Sequence, residues 1–184
     1  MKRMWIGAVW LGIVLSTGLV ALGQTGQSQD VKKVDRWKQW RPLVGVWQGT
    51  SEGNPGKGTV RLEVSFVLKE RFLKIAGTAD YKNDKGGEHH EDFGYVSYDS
   101  SRKTNMFRQF HIEGFVNQYV LTSDAVAGDV IELTSESCEN TPPGWKARER
   151  YTIKGDRLEH TFELAPPGKP FKVYTQASLT RLKK

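Results

Sequence analysis

Apolar and polar residues alternate along much of the chain beyond residue 45. In residues 61–68, Leu62, Val64, Phe66 and Leu68 fall on one side, and Arg61, Glu63 and Ser65 on the other. Successive side chains of a strand leave opposite faces of a sheet, so a period of two marks a strand with one dry and one wet face. The same signal predicts strands over 45–50, 58–68, 71–81, 90–98, 104–114, 117–123, 129–138, 145–154, 157–164 and 171–182. The stretches between them are short and carry turn chemistry, as in Asn83-Asp84-Lys85-Gly86-Gly87, Lys154-Gly155-Asp156 and Pro166-Pro167-Gly168. None leaves room for a crossover helix, so neighbouring strands should run antiparallel.

The expected fold is all-β: a single antiparallel up-and-down barrel of about ten strands. Closure removes exposed edges. A barrel slightly larger than eight strands has an interior that side chains need not fill. A sandwich with a solid core is the competing architecture. Ahead of the first strand, Asp35 is a candidate cap for a short helix with Trp37, Trp40 and Leu43 about three apart on one face. So short a helix needs a surface to pack on, and one end of the barrel offers it.

The start of the chain has a different pattern. Lys2 and Arg3 precede an uncharged run from Met4 to Leu22, and Ala21 and Gly23 supply small residues at a cleavage site. Residues 1–23 are therefore expected to be a secretory signal peptide, 24–34 a polar flexible lead-in, and 35–184 the barrel domain. The expected destination is the periplasm or the exterior, with membrane attachment only if the leader stays uncleaved.

Composition narrows the function. The formal charge is +6, of which Lys2 and Arg3 belong to the leader. Basic residues are spread among acids rather than grouped with aromatics, which argues against a nucleic-acid partner. One cysteine, Cys138, excludes an internal disulfide and a thiolate-based zinc site. It has no basic neighbour in sequence to activate it. No nucleophile elbow, HExxH, Walker loop or dinucleotide fingerprint occurs, so no catalytic residue and no metal ligand is assigned. Gly53-Asn54-Pro55-Gly56-Lys57-Gly58 is glycine-rich but lies between strands, as a hairpin turn does.

Three segments carry a resemblance. Leu43-Val44-Gly45-Val46-Trp47-Gln48-Gly49, with its Gly-x-Trp at the head of the first strand, resembles the calycin signature shared by lipocalins and their relatives. Together with Phe93-Gly94-Tyr95-Val96-Ser97-Tyr98-Asp99 and Ala177-Ser178-Leu179-Thr180-Arg181, it is similar to bacterial lipocalin-like barrels of unknown function and to nitrobindin-like haem-binding barrels. The similarity spans most of residues 40–183. It implies that Gly45, Trp47 and Arg181 form a structural signature, the tryptophan closing the barrel base beneath the arginine. The nitrobindin-like group further implies haem, held by a histidine on the last strand. That position falls near Tyr174, and residues 171–184 contain no histidine. Haem is thus an open cofactor without its usual ligand. A phenolate can bind ferric haem, and plain packing is the other role for Tyr174.

Strand parity nominates the cavity wall. In 157–164 the stripe Leu158, Phe162 and Leu164 includes His160, a candidate ligand contact, hydrogen-bond donor or core histidine. In 104–114 the stripe Met106, Phe110 and Ile112 includes Arg108, whose charge needs a partner. Glu149, in a stripe with Ala147, Tyr151 and Ile153, is one candidate, and a ligand carboxylate another. The opposite parity carries Phe107, Gln109 and His111. The expected ligand-binding set is Arg108, His160, Tyr174, Glu149, Tyr151 and Phe110. His89 and His90, flanked by acids, read as a solvated strand end. The expected function is exported binding of a small hydrophobic or amphipathic molecule. Haem chemistry toward reactive nitrogen species and a filled interaction barrel are the alternatives.

Overall fold

The structure is a computed structural model that describes residues 35–82, 86–122 and 129–183. The expected leader and lead-in, and parts of the 83–87 and 127–129 turns, lie outside the described residues. Ten strands follow in order: β1 (Gly45–Gly53), β2 (Lys57–Val67), β3 (Phe72–Lys82), β4 (Glu88–Asp99), β5 (Thr104–His111), β6 (Val116–Leu121), β7 (Val130–Glu139), β8 (Lys146–Lys154), β9 (Arg157–Ala165) and β10 (Lys172–Arg181). Each pairs antiparallel with the next, and β10 returns to β1, closing the barrel.

Inward residues are the dry half of each alternation. At one end they fill the barrel: Trp47, Leu73, Ile75, Val96, Phe107, Tyr119, Leu133 and Leu158 are buried in one cluster. Each large apolar side chain removed from water contributes roughly 1.5–3 kcal/mol. Residues ahead of β1 plug this end. Trp37, Trp40 and Leu43 are buried there as the spacing predicts, but the backbone is a set of turns ending in a 3-10 helix, Arg41–Leu43. Pro42, early in that helix, lacks the N–H a longer helix would use. Asp35 still accepts the Trp37 N–H at 3.0 Å.

The Gly-x-Trp signature explains the plug. Arg181 lies over the Trp47 ring, its Cζ 3.9 Å from the centroid. Its guanidinium donates to the carbonyls of Val44 and Pro42, while Trp47 Nε1 donates to the Leu43 carbonyl at 2.8 Å. Gly45 has φ +142°, a conformation that strains any side chain, and a Cβ there would stand 2.6 Å from Arg181 Nη1 and displace the guanidinium.

Two strand ends differ from expectation. Leu68 has left the sheet: it is exposed, with φ +50° in the β2–β3 turn. β5 stops at His111, so Ile112 lies exposed in the following turn.

Candidate functional site

At the other end the inward residues are small or polar, and a cavity of about 400 Å³ remains. Gly77, Ala79, Ala177 and Ser51 leave the space that large side chains occupy at the plugged end. Leu62, Phe162 and Leu164 give it apolar walls. Gly77 faces Asp92 across the β3–β4 ladder, and a Cβ there would come 2.9 Å from Asp92 Oδ2. The glycine thus admits the carboxylate to the interior.

Four of the six expected binding residues line this cavity: His160, Tyr174, Glu149 and Tyr151. His160 stacks on Tyr151 with centroids 4.5 Å apart and rings nearly parallel. Its Nε2 is hydrogen-bonded to Glu149 Oε2. Burial alone would lower the His160 pKa, but the Glu149 carboxylate outweighs it and the net shift is upward. A protonated imidazole thereby balances a carboxylate that is almost completely buried. Burial drives the Tyr151 phenol far above its ordinary value.

Tyr174 enters the cavity through an irregularity. The β9–β10 register shifts between Val173 and Thr175, so Tyr174 is an extra residue in its strand. Such a bulge re-aims a side chain, and both Tyr174 and Thr175 line the cavity. The Tyr174 ring meets Phe162 edge-on at 5.9 Å. Its pKa is raised, chiefly by burial.

Arg108 and Phe110 are corrections. Both are exposed on the outside of β5. Arg108 donates to Ser97 Oγ at 3.3 Å, and the Arg108–Glu149 pair does not form, because Arg108 lies outside the barrel wall and Glu149 inside it. Phe110 stacks on Phe93 at 5.5 Å, so this apolar stripe is an aromatic patch on the outer wall. The inward stripe of β5 is the opposite parity: Asn105, Phe107 and Gln109 are buried, and Gln109 and His111 line the cavity.

The acidic strand end is also corrected in part. His89 points outward and pairs with Asp80 at 2.7 Å, both well exposed. His90 points inward. Its Nδ1 is 2.8 Å from Glu113 Oε1 and its Nε2 is 3.4 Å from Asp92 Oδ2. The Asp92 hydrogen bond raises the His90 pKa most, burial opposes it, and Glu113 adds to the rise, which reaches about 9. Burial would raise the Asp92 pKa, but His90 and Gln109 hold it below the usual carboxylate range. His111 lies 5.7 Å from His90, ring to ring. Its pKa is lowered by burial, which the Asp92 charge only partly offsets.

His90, Asp92, His111, Gln109, Glu113 and Asn117 were not in the expected set. The signal for β4 was present: counting back by twos from Val96 reaches Gly94, Asp92 and His90. For β5, the cost of an interior Arg108 favours the parity that the structure adopts.

No family model and no curated protein matches the sequence. Among solved structures, Rv2717c from M. tuberculosis is similar with a TM-score of 0.63 and 22% identity, over 82% of this chain and 99% of that one. A DUF3598-family protein of unknown function from Nostoc punctiforme aligns over 81% of this chain and 100% of its own at 8% identity, but its TM-score of 0.26 carries no argument. The first likeness is one of fold: the chain is a closed ten-stranded antiparallel barrel that has Rv2717c as a structural neighbour.

Proposed function

We propose that this protein binds a small apolar or amphipathic molecule in the hollow end of its barrel, outside the cytoplasm. The observation that carries the reading is the cavity itself. At about 400 Å³ it falls in the size range of small-molecule sites. Its apolar walls with a few convergent polar groups match how such sites combine affinity with orientation.

The charge of the wall refines the ligand. Among the described lining residues, Glu88, Asp92, Glu113 and Glu149 are offset in part by Lys146 and by His90 and His160, whose pKa values are raised. With Arg108 outside, a ligand carboxylate has no clamp. A neutral polar end suits this nearly balanced wall best. The leader-like pattern of residues 1–23 supports export. The resemblance to haem-binding barrels remains a secondary reading. Burial raises the Tyr174 pKa, which works against a phenolate ligand.

Titration with neutral N-phenyl-1-naphthylamine, followed by its fluorescence, tests the proposal. The expected result is saturable one-to-one uptake that Ala177→Trp abolishes while the barrel stays folded by circular dichroism. Absence of saturable uptake by the wild-type protein would refute the reading. So would equal uptake by a folded Ala177→Trp variant.

A further inference from the structure

His90 on β4, His111 at the end of β5 and Glu113 in the turn that follows converge at one side of the cavity. Each offers one ligand atom, and the three atoms lie within 4.8 Å of one another. We propose that these three residues hold a divalent cation of the zinc class at the wall of the hollow end. This goes beyond the binding of an apolar molecule and does not depend on it.

The donor set decides the class of ion. Two imidazoles and one carboxylate suit first-row transition ions and zinc, and leave coordination positions open toward the cavity. Calcium and magnesium prefer all-oxygen sets. Such ions sit about 2.0–2.2 Å from nitrogen and oxygen ligands, which places tetrahedral donors roughly 3.3–3.6 Å apart, so a pair as far apart as 4.8 Å must close by about an ångström or a little more. Glu113 provides the movement: it lies in a turn rather than a strand, and its side chain is partly exposed.

The surroundings resemble a second layer of support. Asp92 stands at the Nε2 side of His90, and its Oδ1 accepts a hydrogen bond from Gln109 Nε2 at 2.9 Å. A carboxylate on the far nitrogen is the usual way to orient a metal-binding histidine. Asn117 Nδ2, a donor, stands 3.2 Å from His111 Nε2 and holds that ring in place, without supplying the acceptor that Asp92 supplies to His90. Independently, Gln109 and Asn117 line the cavity, and their buried oxygens Oε1 and Oδ1 have no hydrogen-bond partner among the described residues. Both side chains are about 4% exposed. Buried polar atoms are normally satisfied, so two acceptors beside one cluster point to a group that they serve. The ion takes the place of the proton between His90 Nδ1 and Glu113 Oε1, and that proton leaves to solvent on binding.

Cobalt titration of the purified, EDTA-treated full chain tests the site through the visible bands of bound Co²⁺. The expected result is one equivalent bound, displaced by Zn²⁺ and not by excess Ca²⁺. His111→Gln and Glu113→Gln should each weaken binding at least tenfold. Asp92→Asn should weaken it about 10–100-fold, as loss of a supporting partner does. His89→Gln, on the outer face, should bind as the wild type does. Glu113→Gln lies on a turn, so its barrel should melt as the wild type does and its result reports the site alone. A wild-type protein with no saturable Co²⁺ signal would overturn the proposal. So would wild-type affinity in Glu113→Gln, or a His89→Gln loss equal to that of His111→Gln. Naphthylamine uptake on the same samples reports the apolar cavity separately, so either proposal can fail while the other stands.

Discussion

The two ends of this barrel are built from the same strands and the same alternation, yet one is solid and the other hollow. Along β3, Leu73 and Ile75 face the core at the plugged end, and Gly77 and Ala79 continue the same face at the hollow end. Along β10, Leu179 and Arg181 close the plug, while Ala177 opens space. Along β4, Val96 gives way to Asp92 and His90. The lesson is that parity decides which residues face inward, but side-chain volume and polarity along each inward face decide whether the interior fills. Where large apolar residues meet from all sides, packing provides the stability. Where small and ionisable residues meet, the fold retains a hollow with charged groups in its wall that packing alone would not favour.

Substitutions should separate the two ends. Trp47→Ala removes a fully buried ring together with the surface on which Arg181 lies. It should cost about 3–5 kcal/mol, read as a fall in the thermal midpoint, and leave the lining of the cavity unchanged. A loss below about 1 kcal/mol would show that the plug is not the stabilising end.

Glu149→Gln comes next. It leaves His160 beside a neutral amide in the interior, at a cost of roughly 1–3 kcal/mol at pH 6. The pH dependence sharpens this. Because Glu149 raises the folded-state pKa of His160 above the ordinary 6.5, the pair's contribution is fully present below about pH 6.5 and fades as pH rises through the higher folded value. Denaturant unfolding from pH 6 upward should show that fade in the wild type and a flatter profile in Glu149→Gln. Parallel profiles would mean that the pair does not govern the titration of His160.

Ala177→Val adds two methyl groups where there is room, so stability should change by less than about 1 kcal/mol while naphthylamine affinity falls. Overpacking a filled core commonly costs about 1–3 kcal/mol, and a loss of that size would mean that the hollow closes in solution. The smallest effect is expected for Arg108→Ala, within about 0.5 kcal/mol and with uptake unchanged. Loss of uptake there would place the guanidinium inside after all.

Much of the architecture was legible in the sequence because alternation is a local signal. Leu62 and Val64 on one face and Arg61 and Glu63 on the other define β2 without help from the rest of the chain. The buried Trp37–Trp40–Leu43 spacing was legible too, although Pro42 turned the expected helix into turns and a single 3-10 turn. The site was harder because its residues break the local rule. β5 carries its apolar stripe, Met106 and Phe110, on the outer face, and Phe110 with Phe93 belongs to a surface patch that no residue-by-residue pattern distinguishes from a core. His90 and Asp92 look like solvent residues until β4 is held in register with β3, where Gly77 makes space for the carboxylate. Tyr174 reaches the cavity by a bulge, and a one-residue irregularity leaves no trace in an alternating pattern.

Methyl NMR with ¹³C-labelled alanine and leucine tests the central claim most directly, because it reads both ends of the barrel in one sample. On adding N-phenyl-1-naphthylamine, intermolecular contacts should appear at the methyl groups of Ala79, Ala177 and Leu164, and be absent at Leu73, Leu133 and Leu158. Contacts at the second group, or at neither, would contradict the division into a solid end and a binding end.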